Sequence, residues 1–282
     1  MNDHEHVVSR LEPRDVAAAL RLSTQAGGNQ LDADWLRLIS LGPDACFAVR
    51  DDDGSVIATS TLASFGAVGW VGMVLVDESR RRRGIGGAVL RAAVAAGATL
   101  EAVGLDATDL GMPVYAKHGF APQVGINRWG GSVMRTCQNS ARRAIDADWP
   151  AILELDRRAC GVDRSALLRA MSRETGVRLR VIELSERLQG FGFARPGRVA
   201  GQLGPVVAKT VETAIELSCA LCDEQHVFID VIDRPENERF SRWLNDSGLS
   251  VLRRLTRMAK PARPEPLLAG PLVYATAALE LG

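Results

Sequence analysis

The chain has 282 residues, and its 34 Lys plus Arg are balanced by 34 Asp plus Glu, with a pI near 6.9. No global positive field exists to gather DNA, RNA or an anionic membrane. No apolar run reaches the roughly 18 to 20 residues needed to span a bilayer, and the start "MNDHEHVVSR" lacks the apolar core of a signal peptide. The expectation is a cytoplasmic protein with no nucleic-acid and no membrane partner. Its length favours two domains. The five cysteines (Cys46, Cys137, Cys160, Cys219 and Cys222) are odd in number and scattered, a poor disulfide framework.

The first element is a helix over "PRDVAAALRLSTQAG", which opens on Pro and Asp, keeps an apolar face at helical period and stops at Gly27. "LDADWLRLISLG" reads as a second helix. Residues 45 to 77 alternate or run apolar around a turn ending in Gly54, which predicts antiparallel strands joined by hairpins. The last of them leads into "ESRRRRGIGGAVL", and a helix then runs from about Gly86 to Gly97. A strand "LEAVGLDAT" follows, then a short helix near Pro113 ended by Gly119, and a strand pair reaching about Arg135.

The polar "TCQNSARRA" marks a boundary near Asn139, because the pattern restarts with "DADWPAILELDRRA". Two helices, strands over 178 to 208, a helix, the strand "HVFIDVI", the helix "PENERFSRWLNDSG" and a final strand complete a degenerate echo of the first half. The fold class is mixed α/β: two tandem domains, 1–138 and 139–282, each a mostly antiparallel sheet flanked by helices. Cys219 and Cys222 form a CxxC inside "TVETAIELSCALCDEQ". The apolar spacing there makes a core helix the preferred reading over a redox or metal pair.

The arginine and glycine stretch has three readings: a solvated basic run, a nucleic-acid contact, or a loop that holds a phosphorylated ligand. A strand turning through glycines into a helix N-terminus aims unpaired N–H groups and the positive end of the dipole at one point. Gly84, Gly86 and Gly87 let the main chain approach a diphosphate closely, and flanking arginines add charge-assisted bonds. No Lys-Ser/Thr pair follows the glycines, and G-x-G-G is not G-x-G-x-x-G, which excludes a Walker A loop and a dinucleotide fingerprint. No aromatic residue interleaves with the arginines, against a nucleic-acid contact.

"VGMVLVDESRRRRGIGGAVL" resembles the coenzyme A-binding motif of GNAT-family N-acetyltransferases, with Arg81-Arg82-Arg83-Gly84-Ile85-Gly86 as the signature R/Q-x-x-G-x-G/A. "VGLDAT" and the Tyr-x-x-x-Gly-Phe element in "PVYAKHGF" follow in the family's order. With "GGNQLDADW" and "FARPGRVAGQLGPVVA", nearly the whole chain resembles a bacterial two-domain subgroup.

The resemblance implies acetyl transfer from acetyl-CoA to the amino group of a small molecule or other amine acceptor, without a metal. An acyl-CoA-binding sensor without turnover stands as the alternative, and the chain would act as a monomer or homodimer. Arg81, Arg82, Arg83, Gly84, Ile85, Gly86 and Gly87 would hold the diphosphate, leaving Arg80 a solvated bystander. The main chain of Val74, Leu75 and Val76 would pair with the pantetheine arm. Thr108 stands where many relatives carry a cofactor-contacting Asn. Tyr115 would be the general acid toward the departing sulfur.

For the base, Asp106 and Glu78 are the candidates; His118 reads as exposed, and His4 and His6 as parts of a loose terminus. Asn29, Gln30 and Trp35 fall in the acceptor wall, where Gly28 replaces a common aromatic and implies a wider pocket. The second half lacks the glycine loop, so one acyl-CoA per chain is expected, with Asp230, Asn237 and Arg195 lining its cleft.

Overall fold

The computed structural model describes residues 6–133, 140–222 and 226–282. They divide into two compact units, up to Val103 and from Gly104 onward. The boundary read near Asn139 lies outside the described residues, as do His4 and Cys137.

In the first unit, β1 (Val8–Arg10) leads through a 3-10 turn at Pro13–Asp15 into α1 (Val16–Gln25). Asp15 accepts the Glu12 N–H at 2.9 Å and both guanidinium nitrogens of Arg50, so the turn is held before the helix begins. α2 (Asp32–Leu41) opens in the same way, with Asp34 accepting the Leu31 N–H at 2.8 Å. Strands β2 (Cys46–Arg50), β3 (Val56–Phe65) and β4 (Val68–Val76) pair antiparallel in the order β1-β2-β3-β4. Leu11, Leu22, Trp35, Ile39, Ala48 and Val56 form one core with α1 and α2. On α3 (Ile85–Ala96), Ile85 and Val89 pack on Val49, Ile57 and Ala58 in another. The Ser60 hydroxyl donates to the Val89 carbonyl at 2.7 Å and pins α3 to the sheet.

β5 (Ala102–Ala107) continues into the second unit, followed by α4 (Met112–Lys117), β6 (Ala121–Ser132) and β7 (Arg142–Arg143). Then come α5 (Trp149–Cys160), α6 (Ser165–Ser172), β8 (Arg178–Leu184), β9 (Arg187–Arg195) and β10 (Gly201–Ala208). α7 (Val211–Leu221), β11 (His226–Asp233), α8 (Glu238–Asp246), β12 (Ser250–Lys260) and β13 (Val273–Ala275) complete it. Its strand order is β5-β12-β6-β11-β10-β9-β8-β7, with β13 paired to β10.

That order is an exchange. β12, from the second half of the sequence, lies between β5 and β6 of the first half, and β6 lies between β12 and β11. Sequence halves and compact units therefore do not coincide. The expected strand pair before residue 135 is, through Ser132, one long strand, because β12 and β11 occupy both edges of β6. Its glycines serve close packing in place of a turn: a Cβ at Gly125 would lie 3.1 Å from that of Asp233, and one at Gly130 would overlap the Leu252 side chain.

Two ion pairs, the first fully buried and the second half-buried at its arginine, join the exchanged strands. Arg257 on β12 donates Nε to Asp106 Oδ1 at 2.9 Å and Nη2 to Oδ2 at 3.0 Å, and both side chains are 0% exposed. Arg128 on β6 makes the same fork to Asp230 on β11, both bonds 2.8 Å, and Gln202 adds a bond to Asp230 at 3.1 Å. Desolvating such ions offsets much of their attraction, whereas removing one partner strands a buried charge.

Cys46, Cys160 and Cys222 are free thiols, in line with a poor disulfide framework, while Cys219 is disulfide-bonded. The CxxC is thus not a pair, and burial pushes the Cys222 thiol up to about 12. Residues 211–221 form the expected core helix, with Leu217 and Leu221 in the second unit's core.

Arg257→Ala is expected to lower unfolding free energy in urea by about 3 to 5 kcal/mol. Glu238→Ala, which breaks the exposed Arg242 pair, should change it by about 0.5 kcal/mol or less. Equal effects would contradict a structural role for the buried fork.

Candidate functional site

The site in the first unit starts with a defect in β4. Thr59 pairs with Leu75 and Thr61 with Gly72, so Met73 and Val74 together face the single residue Ser60. Met73 takes φ +50°, and its carbonyl accepts the Thr59 hydroxyl at 2.9 Å. A bulge of this kind bends a strand and leaves part of the ladder unpaired. Val74 in the bulge and Leu75 and Val76 beyond it are half-buried.

The turn after β4 is tied from below. Asp77 accepts the Ser79 N–H at 3.0 Å and its hydroxyl at 2.7 Å, and Arg21 reaches Asp77 at 2.5 Å and the Val56 carbonyl at 2.9 Å. The Arg21 and Ser79 bonds hold the Asp77 carboxyl well below the ordinary range. The anchor stays charged at any working pH.

Arg82 sits at φ +64° and Gly84 at φ +82°, the latter at the N-cap of α3. No side chain caps this end, and the first intrahelical bond runs from the Ala88 N–H to the Gly84 carbonyl at 3.1 Å. The amides of Ile85, Gly86 and Gly87 therefore point past the helix toward one place, with the dipole behind them. A Cβ at Gly86 would sit 3.3 Å from Val76 Cγ2, so any larger side chain presses on the end of β4. Buried Ile85 anchors the first turn in the core. The result is a cradle of main-chain donors that fits a diphosphate.

The arginines separate by environment. Arg82 and Arg83 are exposed and have no acidic partner among the described residues. Arg81 reaches the Val76 carbonyl at 3.3 Å and Glu78 at 3.4 Å. Arg80 is paired with Asp51, so it braces the turn and is not a solvated bystander. A His6 ring nitrogen lies 2.8 Å from the Arg83 carbonyl, which ties down that segment where a loose terminus was expected.

The acceptor-wall residues are mostly interior. Trp35 is 0% exposed, and its indole N–H donates to Ser23 Oγ at 3.3 Å. Asn29 is buried as well, and Gln30 is the half-buried member of the three. Trp35 and Asn29 are thus enclosed where contact with an acceptor was expected. A Cβ at Gly28 would overlap Gln30 Oε1 and lie 2.8 Å from the Ser23 carbonyl oxygen. Gly28 also donates its N–H to that carbonyl at 2.7 Å. The main chain excludes a Cβ here, so the glycine is a product of close packing and does not by itself widen a pocket.

In the second unit both oxygens of Asp106 are committed to Arg257. Burial pushes its carboxyl up and the guanidinium pulls back against that rise. Asp106 is one half of an ion pair and not a base, and Glu78 is drawn to Arg81. Tyr115 on α4 packs edge-on to Phe120, ring centroids 6.3 Å apart, and burial pushes its phenol up to about 12. Thr108 accepts the Gly111 N–H at 3.3 Å at the start of α4, and the His118 carbonyl accepts Lys260 Nζ at 2.9 Å. Asp230, Asn237 and Arg195 are buried. Sequence reasoning missed the Met73 bulge and the Asp77 anchor; the Asp-x-Ser turn in "VDESR" was the available signal for the second.

Both halves match models of the acetyltransferase (GNAT) domain, over residues 43–122 and 152–270. The chain belongs to the GNAT acetyltransferases, an acyltransferase family, and carries two such domains in tandem. It is 24% identical over 212 residues to the uncharacterized N-acetyltransferase YitH of Bacillus subtilis (strain 168), covering 74% of this chain and 75% of that one. A solved protein of Pyrococcus horikoshii shares the fold with a TM-score of 0.85 at 20% identity, over 100% of this chain and 98% of that chain. A tandem GNAT protein from the clavulanic acid biosynthesis pathway aligns with a TM-score of 0.60 at 14% identity, over 93% and 99%. Among the described residues no helix is long and apolar enough to cross a membrane.

Gly28→Phe is expected to destabilise the protein by about 1 to 3 kcal/mol through overpacking against the Ser23 carbonyl. Unchanged unfolding in urea would show instead that an open pocket lies there.

Proposed function

We propose that the protein transfers an acetyl group from acetyl-CoA to the amino group of a small-molecule acceptor, in the cytoplasm, using one acyl-CoA per chain. The observation that carries this reading is the uncapped N-terminus of α3, set by Gly84 at φ +82° and opened by Gly86. The main-chain amides of Ile85, Gly86 and Gly87 hold the diphosphate, and Arg81, Arg82 and Arg83 add charge-assisted bonds. Val74, Leu75 and Val76, at and just past the bulge, offer main-chain groups to the pantetheine arm. Bound acetyl-CoA supplies the activated thioester, and an N–H donor toward its carbonyl contributes about 3 kcal/mol where charge develops.

The family resemblance places Tyr115 beside the departing sulfur, and burial, which holds the proton on its phenol, makes it a hydrogen-bond donor there. With its phenol near 12 against a thiol of about 8.5, complete transfer is uphill by roughly 5 kcal/mol, so Tyr115 stabilises the leaving thiolate by a hydrogen bond. Thr108 lends its hydroxyl to the cofactor, and Gln30 is the remaining acceptor contact. An amine with a pKa near 10.4 is neutral in only about one molecule in a few thousand at pH 7. Turnover therefore rises with pH as the free amine accumulates, and no carboxylate base is assigned. For function we divide the chain at residues 1–138 and 139–282, the second domain having no diphosphate loop.

Thiol release from acetyl-CoA on adding a panel of amines tests the proposal; binding without release across the panel would turn it into a sensor. Gly86→Val should lower kcat/KM by about tenfold or more through the Val76 contact, while Gln30→Ala should raise the amine KM alone. Tyr115→Phe should cut kcat by about a hundredfold with near-normal acetyl-CoA affinity. The kcat profile of the parent should lack a falling limb below pH 10, because the raised phenol keeps its proton there; a fall near pH 8 would remove Tyr115 as the donor.

A further inference from the structure

The second domain has the parts of a cofactor groove. β10 and β11 run parallel, but pair only over Gly201–Leu203 with Val227–Ile229, and then diverge. In the GNAT reading above, the corresponding opening admits the pantetheine arm. Here it holds a strand of the same chain. β13 lies antiparallel to β10, Val206 opposite Ala275 and Val207 opposite Val273, and the Ala208 N–H donates to the Leu272 carbonyl at 3.0 Å. On the other side the Thr276 N–H donates to the Asp230 carbonyl of β11 at 2.9 Å.

The fit is specific to a peptide main chain. Arg234 donates to the carbonyls of Ala269 at 2.6 Å, Gly270 at 2.8 Å and Val273 at 2.8 Å, and Asn237 adds a bond to Val273 at 3.3 Å. Arg164, buried and forked to Asp156, donates to the Gly282 carbonyl at 3.1 Å, and Arg195 faces Glu280 at 3.7 Å. Gly204 on β10 has φ +145°, and a Cβ there would overlap the Thr276 carbonyl oxygen. The occupant is buried nearly throughout, with Val273, Ala275, Thr276, Ala277 and Leu281 at 0 to 1% exposure.

We infer that the groove of the second domain is a peptide-backbone site, occupied in cis by residues 269–282, and that this occupancy closes it to acyl-CoA. Three features make the substitution one of ligand class and not of shape alone. The polar side chains of the groove address carbonyl groups at peptide spacing. The glycine that permits close approach faces a main-chain oxygen. The helix after β10, moreover, has an N-cap side chain where α3 has none: the Thr210 hydroxyl oxygen accepts the Thr213 N–H at 3.2 Å. Asn237 and Arg195, which the sequence placed in a cleft, are contacts to this segment. The inference leans on the proposed function only for the location of a GNAT cofactor groove.

Hydrogen exchange on the full chain tests it without any cofactor. The amides of Ala275 and Thr276 should exchange slower than an unstructured peptide by about a thousandfold or more. Arg234→Ala, and independently Gly204→Val, should speed exchange across 271–278 by about tenfold or more while β6 and β12 keep their protection. Saturating acetyl-CoA should leave exchange in 271–278 of the parent unchanged. Fast exchange of Ala275 and Thr276 in the parent, or their release by acetyl-CoA, would overturn the inference even if a variant failed to fold. Loss of thiol release alone, with the segment still protected, would count against the proposed function and leave the peptide site standing.

Discussion

The strand order of the second unit is tied by two guanidinium–carboxylate forks. Asp106 and Asp230 stand on β5 and β11, each the strand that follows the helix of its half, and each is met by an arginine from a strand of the other half. A β-strand slipped by one residue turns every side chain to the opposite face. The enclosed Arg257 would then lose its carboxylate and be left as a charge without solvent, and Asp230 would lose Arg128. The forks thus select a single register for β6 and β12, and through it the order of the whole sheet.

The two halves share element order and differ in what stands at the end of the central strand. After β4 the chain bends through positive φ at Arg82 and Gly84 and leaves the amides of α3 open. After β10 it enters α7 through Thr210, whose side chain satisfies the first turn, and the neighbouring groove is filled by β13. One half leaves its helix start without a side-chain cap, and the other has a threonine there. A repeated fold therefore does not carry a repeated site.

Much of this was legible in the residues. Helix starts at Asp32 and Pro113, the stop at Gly97 and the glycine cradle follow from local rules about caps, φ and dipoles, and those rules act within a few residues. Trp35, Asp106 and Gly28 were misread because their meaning lies in tertiary partners: a serine 12 residues away, an arginine on β12, and a carbonyl that fills the place of a side chain. The exchange of β6 and β12 was invisible for the same reason. Each strand carries an ordinary pattern, and nothing local says which edge it will take.

The two proposals together make the domains unequal: acyl-CoA would bind at α3 alone, and residues 269–282 would keep the second groove closed. Calorimetric titration of the full chain with acetyl-CoA tests this most directly. One site per chain is expected, weakened about tenfold or more by Gly86→Val; two sites per chain, or a single site indifferent to that substitution, would overturn it.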